Sequence, residues 1–168
     1  MDSQLDSLDE LLTCRLDFKR KSVEPCSIVI FGASGDLTAR KLIPALFQLF
    51  IEKQLPSPFR IIGFARREKT DASWRDELKT DMDKFSRTKN IDPAQWTAFA
   101  ENVSYCQGEF SDLEAYHKLE KQLTAFGNEQ LRRNLLFYLS TSPSQFAEVA
   151  EHLHKSELLN REEKNKFW

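Results

Sequence analysis

The chain has 168 residues, which is enough for one domain with a hydrophobic core of its own. Hydrophobic residues form 40% of the sequence, charged residues 30%, and the net charge is −2, so neither a disordered chain nor a basic nucleic-acid binder is expected. The longest apolar run, at positions 43–51, is far shorter than the ~20 residues of a membrane span. Three cysteines without a CxxC pair predict neither disulfides nor a zinc site. We therefore expect a cytoplasmic domain with no metal, nucleic acid or membrane partner.

The first 25 residues differ from the rest of the chain. Leu5, Leu8, Leu11 and Leu12 recur at roughly helical spacing and are followed by a polar, basic stretch. This acidic start has neither the basic beginning nor the apolar centre of a signal peptide. We predict a partly helical or mobile leader at 1–25 and one domain at 26–168.

From residue 26 onward, short apolar runs alternate with longer segments of helical periodicity. Strands are predicted at 28–31, 59–65, 103–106 and 135–139, and the continuous apolar runs of the first and last indicate burial on both faces. Helices are predicted at 36–53, 73–85, 93–100, 112–126 and from 142–143 onward, and the composition of 160–168 is also helical. Pro44 falls inside the first helix and should remove one hydrogen bond there. The alternation predicts an α/β fold, a Rossmann-like doubly wound parallel sheet with helices on both faces.

Two glycines, Gly32 and Gly35, occupy the turn between the first predicted strand and the first predicted helix. Glycine tolerates unusual φ angles and lets the backbone approach a ligand closely. The N–H groups of the turn and the positive end of the helix dipole would then suit a pyrophosphate. The spacing differs from the G-x-G-x-x-G fingerprint, with Thr38 at the third glycine position, and such a turn also occurs for packing alone. The turn by itself leaves both interpretations open.

The end of the second predicted strand carries Arg66 and Arg67, where NAD-binding domains have an acidic residue. A guanidinium group matches phosphate oxygens in a bidentate way, so adjacent arginines suit the 2′-phosphate of NADP. Two solvated arginines at a strand end are the alternative. Together with the glycine turn upstream, the arginines favour NADP over NAD.

Three segments resemble a known family. FGASGDLTARKLIPALFQLF is similar to the coenzyme-binding opening of the glucose-6-phosphate dehydrogenases, GFARR to their second-strand ending, and LLFYLSTSPSQFAEV to their fourth strand and following helix. The resemblance extends over about residues 28–153. It implies the NADP-binding domain of an enzyme that oxidises glucose 6-phosphate to 6-phosphogluconolactone and reduces NADP to NADPH, in the oxidative pentose phosphate pathway.

The resemblance assigns roles to residues near the phosphates by their position. Those that would line the pyrophosphate site and extend it into the first helical turn are Gly32, Ala33, Ser34, Gly35, Asp36, Leu37, Thr38 and Ala39. Arg66 would contact the 2′-phosphate of NADP, with Arg67 as a helper.

Two further pairs of residues follow the third and fourth strands. Glu109 and Phe110 would fall near the adenine pocket, or in an ordinary surface loop. Ser142 and Pro143, in the segment 140–143, would border the nicotinamide half, although Ser142 stands where the family usually has proline.

No catalytic residue is assigned within the chain. The family's E-K-P-F-G and R-I-D-H-Y-L-G-K-E segments, and the histidine that acts as general base, have no counterpart in this sequence. His117 is expected on a helix surface, and His152 and His154 are two apart, so they cannot face one metal ion from a helix. The resemblance thus implies a sheet that is incomplete at its C-terminal side, NADP binding without turnover, glucose 6-phosphate as the substrate of the full-length enzyme, and a homo-oligomer formed through its C-terminal domain. A non-catalytic NADP-binding sensor or regulatory Rossmann domain is the alternative.

Overall fold

The computed structural model describes residues 24–85 and 90–159. The predicted leader helix and the predicted helical segment at 160–168 lie outside the described residues. Within the described ranges, four strands form one parallel sheet in the order β3-β2-β1-β4. They are β1 (Cys26–Phe31), β2 (Phe59–Ala65), β3 (Val103–Gln107) and β4 (Leu135–Leu139). The parallel sheet and its strand order confirm the predicted Rossmann-like α/β fold.

Six α-helices accompany these strands in the part of the chain that the structure describes. They are α1 (Ile43–Ile51), α2 (Asp71–Phe85), α3 (Pro93–Ala100), α4 (Leu113–Ala125), α5 (Glu129–Arg133) and α6 (Phe146–Lys155). The side chains of Asp92, Asp112 and Asn128 cap α3, α4 and α5, each accepting a hydrogen bond from the amide two residues on. Gly127, with φ +65°, follows α4 at the predicted stop, whereas α5 has no counterpart among the predicted helices. None of these helices is long and apolar enough to cross a membrane.

Each face of the sheet has its own hydrophobic core. Helices α1, α2 and α3 cover one face, where Phe47 and Trp74 are fully buried among strand residues. Helices α4 and α6 cover the other face, where Tyr116 is buried against β1 and β2. Neighbouring residues of β1 alternate between the two cores, Ile30 in the first and Phe31 in the second, because successive side chains of a strand point to opposite faces. Helices on both faces are therefore confirmed.

The first helical segment differs from the prediction at Pro44. The sequence predicts one helix over 36–53, but Thr38–Leu42 form a π-helical turn, in which the N–H of Ile43 donates to the carbonyl oxygen of Thr38. Pro44 then lies in the first turn of α1. Proline has no N–H to donate to the preceding turn, and the wider hydrogen-bond spacing falls directly before it.

The predicted burial of β4 on both faces is wrong. Leu136 and Tyr138 are 37% and 40% exposed, whereas Leu135, Phe137 and Leu139 pack in the core beneath α4 and α6. β4 is an edge strand of the described sheet, and the core beneath α1, α2 and α3 draws its strand residues from the other three strands. One face of β4 therefore stays open to solvent.

Candidate functional site

A cleft of about 270 Å³ opens at the carboxyl ends of the strands. Its lining residues come from the segments that follow all four strands, and they are Gly32, Ser34, Gly35, Ala65, Arg66, Arg67, Phe110, Ser140, Thr141 and Gln145. β1 pairs with β2 on one side and with β4 on the other, so the connections diverge at this point of the sheet. Ligands of open parallel sheets bind at such a divergence, outside the carboxyl ends of the strands.

The turn after β1 requires glycine at its first position. Gly32 has φ +83°, and a Cβ atom there would lie 2.2 Å from the carbonyl oxygen of Ser140. The N–H of Gly32 donates to the carbonyl oxygen of Phe64 at 2.9 Å, and the N–H of Gly35 donates to the carbonyl oxygen of Gly32 at 2.9 Å. The turn is thus wedged between the ends of β2 and β4, and its backbone forms a wall of the cleft.

Two of the residues predicted around this turn are buried beneath it. Thr38 is fully buried, and its hydroxyl group donates to the carbonyl oxygen of Gly32 at 3.3 Å. Ala33 is 2% exposed and packs in the core of the α1–α3 face. Both residues therefore shape the turn from below, and neither lines the cleft.

Two predicted residues of the first helical turn, Asp36 and Leu37, do not line the cleft. Asp36 and Leu37 are exposed, and Asp36 pairs with Arg40 at 3.4 Å along the helix. The N–H of Ala39 donates to the carbonyl oxygen of Gly35 at 3.3 Å. Helical hydrogen bonding thus begins at the second glycine, before the π-helical turn and α1, and the positive end of the helix dipole lies toward the cleft.

Arg66 and Arg67 line the cleft from the end of β2, and both are exposed. Their backbone is held by β3: the hydroxyl group of Tyr105 donates to the carbonyl oxygens of Ala65 at 3.2 Å and of Arg67 at 2.7 Å. The side-chain amide of Gln107 donates to the carbonyl oxygen of Arg66 at 3.4 Å. Burial raises the pKa of Tyr105, so its hydroxyl group remains a donor. The sequence carries no local signal for this role of Tyr105, which depends on the register of β2 and β3.

The segment after β3 brings Glu109 and Phe110 to the same cleft region. Phe110 is 7% exposed, lines the cleft, and packs 6.1 Å from the rings of both Phe31 and Phe64. The carboxylate of Glu109 lies 3.9 Å from Nε of Arg66. Both predicted residues thus lie near the arginine side of the cleft.

The segment after β4 contributes Ser140, Thr141 and Gln145 to the cleft. The N–H of Ser140 donates to the carbonyl oxygen of Phe31 at 2.8 Å, while its Oγ is buried with no hydrogen-bond partner among the described residues. The predicted residues Ser142 and Pro143 are exposed at the start of a 3₁₀ turn and do not line the cleft. Gln145 was not predicted, because nothing in the sequence distinguishes it from other glutamines of a helix start.

Comparison with known proteins assigns the family. A model of the family described as "Glucose-6-phosphate dehydrogenase, NAD binding domain" matches residues 29–167. This chain belongs to that family. The resemblance seen in the sequence is therefore confirmed, and the matched region is the family's coenzyme-binding domain.

Similar proteins in the glucose-6-phosphate dehydrogenase family are much longer than this chain. Glucose-6-phosphate 1-dehydrogenase of Chlamydia muridarum is 40% identical over 140 residues, which are 83% of this chain and 28% of the relative. That of Chlamydia pneumoniae is 39% identical over 150 residues, 88% of this chain and 29% of the relative. The chain thus spans somewhat more than a quarter of the curated relatives it matches.

Solved structures of the family share the fold. A structure titled "Glucose-6-phosphate dehydrogenase in complex with its substrate glucose-6-phosphate" has a TM-score of 0.72 at 34% identity, over 84% of this chain and 29% of that one. The enzyme from Mycobacterium avium has a TM-score of 0.70 at 30% identity, over 81% of this chain and 28% of that one.

A second cavity, of about 480 Å³, lies at the opposite end of the sheet, beside the first residue of β4. Although larger, it offers few free charges: Arg132 pairs with Glu120 at 3.2 Å, and Lys155 pairs with Glu151 at 2.6 Å. Within residues 24–85 and 90–159, no group of three or more His, Cys, Asp and Glu side chains is arranged to hold a metal ion. The cleft at the carboxyl ends is the better candidate for ligand binding.

Proposed function

We propose that this chain binds NADP in the cleft at the carboxyl ends of its strands. The observation that carries the proposal is the meeting of the Gly32–Gly35 turn with Arg66 and Arg67 in one cleft. A glycine turn that begins a helix suits a pyrophosphate, and guanidinium groups suit a 2′-phosphate. No carboxylate occupies the end of β2 before Glu68, where an NAD-specific domain has one.

In this proposal the chain holds and orients the coenzyme. Residues 32–39 take the pyrophosphate, with Gly32, Ser34 and Gly35 in contact and Thr38 supporting the turn. The family resemblance supports Ser142 and Pro143 as the border of the nicotinamide half. Ser140, Thr141 and Gln145 line that side of the cleft, after β4.

The wider activity that we propose is that of the longer relatives. NADP accepts a hydride from C1 of glucose 6-phosphate when it is bound, and the product is 6-phosphogluconolactone. The general base and the substrate-phosphate residues of the family have no counterpart in this sequence. We further propose a cytoplasmic enzyme of the oxidative pentose phosphate pathway that assembles as a homo-oligomer through a C-terminal domain.

Calorimetric titration of the purified chain with NADP and with NAD tests the proposal. We expect NADP binding, and we expect Arg66→Glu to weaken it at least about tenfold, because a charge-assisted hydrogen bond contributes ~1.5–3 kcal/mol. NAD affinity should change far less. Lys121→Glu, which makes the same charge change on exposed α4, is the control and should leave both affinities unaltered.

Three results would contradict parts of this proposal. Failure of the parent chain to bind either coenzyme would exclude the coenzyme site. Equal loss of NADP and NAD affinity in Arg66→Glu would exclude the 2′-phosphate role. Oxidation of glucose 6-phosphate by the 168-residue chain alone would show catalytic residues where none is assigned.

A further inference from the structure

Glu109 is fixed beside the end of β2 by the backbone around it. The N–H of Gly108 donates to the carbonyl oxygen of Ala65 at 3.1 Å. A Cβ atom at Gly108 would lie 2.3 Å from Cβ of Ala115, so the strand end packs directly on α4. On the other side of Glu109, Phe110 is buried in the aromatic cluster with Phe31 and Phe64. The backbone of Glu109 therefore stays beside the end of β2 unless the core itself opens.

The ion pair between Glu109 and Arg66 should affect ligand binding more than the stability of the fold. The side chains are 60% and 66% exposed and their closest charged atoms are 3.9 Å apart, so the pair contributes little to folding. Arg66 also lines the cleft, and the dianionic phosphate that it attracts would come close to the Glu109 carboxylate. Like charges at such distances repel, and the repulsion is strongest where water is displaced.

The same carboxylate is an acceptor for an uncharged ribose. NAD carries a hydroxyl group where NADP carries the 2′-phosphate, and a carboxylate in dinucleotide-binding domains accepts a hydrogen bond from that hydroxyl. Such a carboxylate ordinarily follows the second strand, but here β2 is followed by Arg66 and Arg67. Glu109 follows β3 instead, and its carboxylate lies 3.9 Å from Nε of Arg66, within reach of a ribose bound at that arginine.

We infer that Glu109 sets the ratio of NADP to NAD affinity in this cleft. Its carboxylate repels the 2′-phosphate bound at Arg66 and accepts a hydrogen bond from the 2′-hydroxyl of NAD. The site therefore binds both coenzymes with a moderate preference for NADP. The inference rests on the proposed function, since it requires that the cleft hold a dinucleotide. It gives Glu109 a role in specificity, distinct from its predicted place near the adenine pocket.

Titration of the whole chain with each coenzyme tests the role of Glu109. Glu109→Gln keeps the size of the side chain and removes its charge. We expect NADP to bind about three- to tenfold more tightly and NAD about three- to tenfold more weakly, so that the ratio of the two affinities changes at least about tenfold. Glu109→Lys should shift the ratio in the same direction and further. Glu101→Gln, at the opposite end of β3, makes the same charge change as Glu109→Gln and should leave the ratio unaltered.

The possible outcomes separate this inference from the proposed function. If the parent chain binds neither coenzyme, the proposed function fails and this inference fails with it. If the parent binds NADP but the ratio in both Glu109 variants stays within about twofold of the parent, only the role of Glu109 is overturned. Parallel loss of both affinities would also overturn it, because that pattern indicates general damage to the cleft.

Discussion

The backbone conformation of Gly32 helps to determine the shape of the cleft. Its positive φ turns the chain away from β1 just where β4 ends, and the space for a side chain is taken by the carbonyl group of Ser140. The N–H of Gly32 donates a hydrogen bond to the end of β2, and its carbonyl oxygen accepts hydrogen bonds from the N–H of Gly35 and the hydroxyl group of Thr38. A substitution there consequently affects folding and ligand binding together.

Gly32→Ala should cost about 3 kcal/mol of unfolding free energy, from the positive φ and from the contact with the Ser140 backbone. Gly127→Ala is the matched control: its φ is +65°, but a Cβ atom there meets no atom within 4 Å. The control should cost only about 1 kcal/mol and should leave NADP affinity unchanged. Urea denaturation measures both costs. Equal costs in the two variants would show that the Ser140 backbone moves aside freely.

The sequence identified the residues at the cleft where a local rule or the family resemblance applied. The residues Gly32, Ser34, Gly35, Arg66, Arg67 and Phe110 were predicted near a ligand and line the cleft. Their convergence follows from one rule, that parallel strands share an edge at their carboxyl ends. The contact between Glu109 and Arg66, and the support from Tyr105, depend on how β2 and β3 are aligned, and no local pattern encodes that alignment.

Among the elements, β4 departs most from what its sequence suggests. Its five apolar residues would suit a strand buried on both faces, but strand order places it at an edge of the described sheet. Leu136 and Tyr138 are therefore exposed on an edge strand with unpaired backbone groups, an arrangement that favours association with other chains.

Leu136→Lys should reduce self-association of the chain, because charged side chains on edge strands oppose strand-to-strand pairing. It should change the unfolding free energy by less than about 1 kcal/mol, since the side chain is already 37% exposed. Phe137→Lys, on the covered face of the same strand, should instead cost about 3 kcal/mol or more. Sedimentation velocity at several concentrations measures the association. Unchanged association in Leu136→Lys would show that the chains meet elsewhere.

The remaining elements differ in how well local signals specified them. The long helices followed from their periodicity and the strands from their short apolar runs, and Gly127 marked the end of α4. The five residues of α5 are too few for a periodic pattern, although Asn128 was available as a cap. Pro44 signalled a disturbance in the first helix, but no local pattern specified that it would be a π-helical turn at Thr38–Leu42.

At the scale of the whole molecule, one sheet separates two cores, and Cys106 lies in the core beneath α4 and α6. The thiol is fully buried on β3, the strand that carries Glu109 and Phe110 at its end. Burial raises the pKa of Cys106 from an ordinary value of 9.0 to about 11. At pH 8 the native thiol is therefore about a hundredfold less ionised than in the unfolded chain, and it reacts chiefly when the core opens.

NADP should slow the alkylation of Cys106 because the coenzyme binds the folded state alone. At a free NADP concentration of one hundred times its dissociation constant, the stabilisation is about 2.7 kcal/mol, which corresponds to roughly a hundredfold slower labelling. Mass spectrometry of the Cys106 peptide after timed exposure to iodoacetamide measures the rate. Arg66→Glu, whose NADP affinity is expected to be at least about tenfold weaker, should at the same NADP concentration show only about tenfold slower labelling or less. If calorimetry shows binding to the parent while Cys106 remains unprotected, then the thiol reacts through a local opening that bound coenzyme does not oppose. The core beneath α4 and α6 would in that case open around Cys106 without unfolding of the cleft.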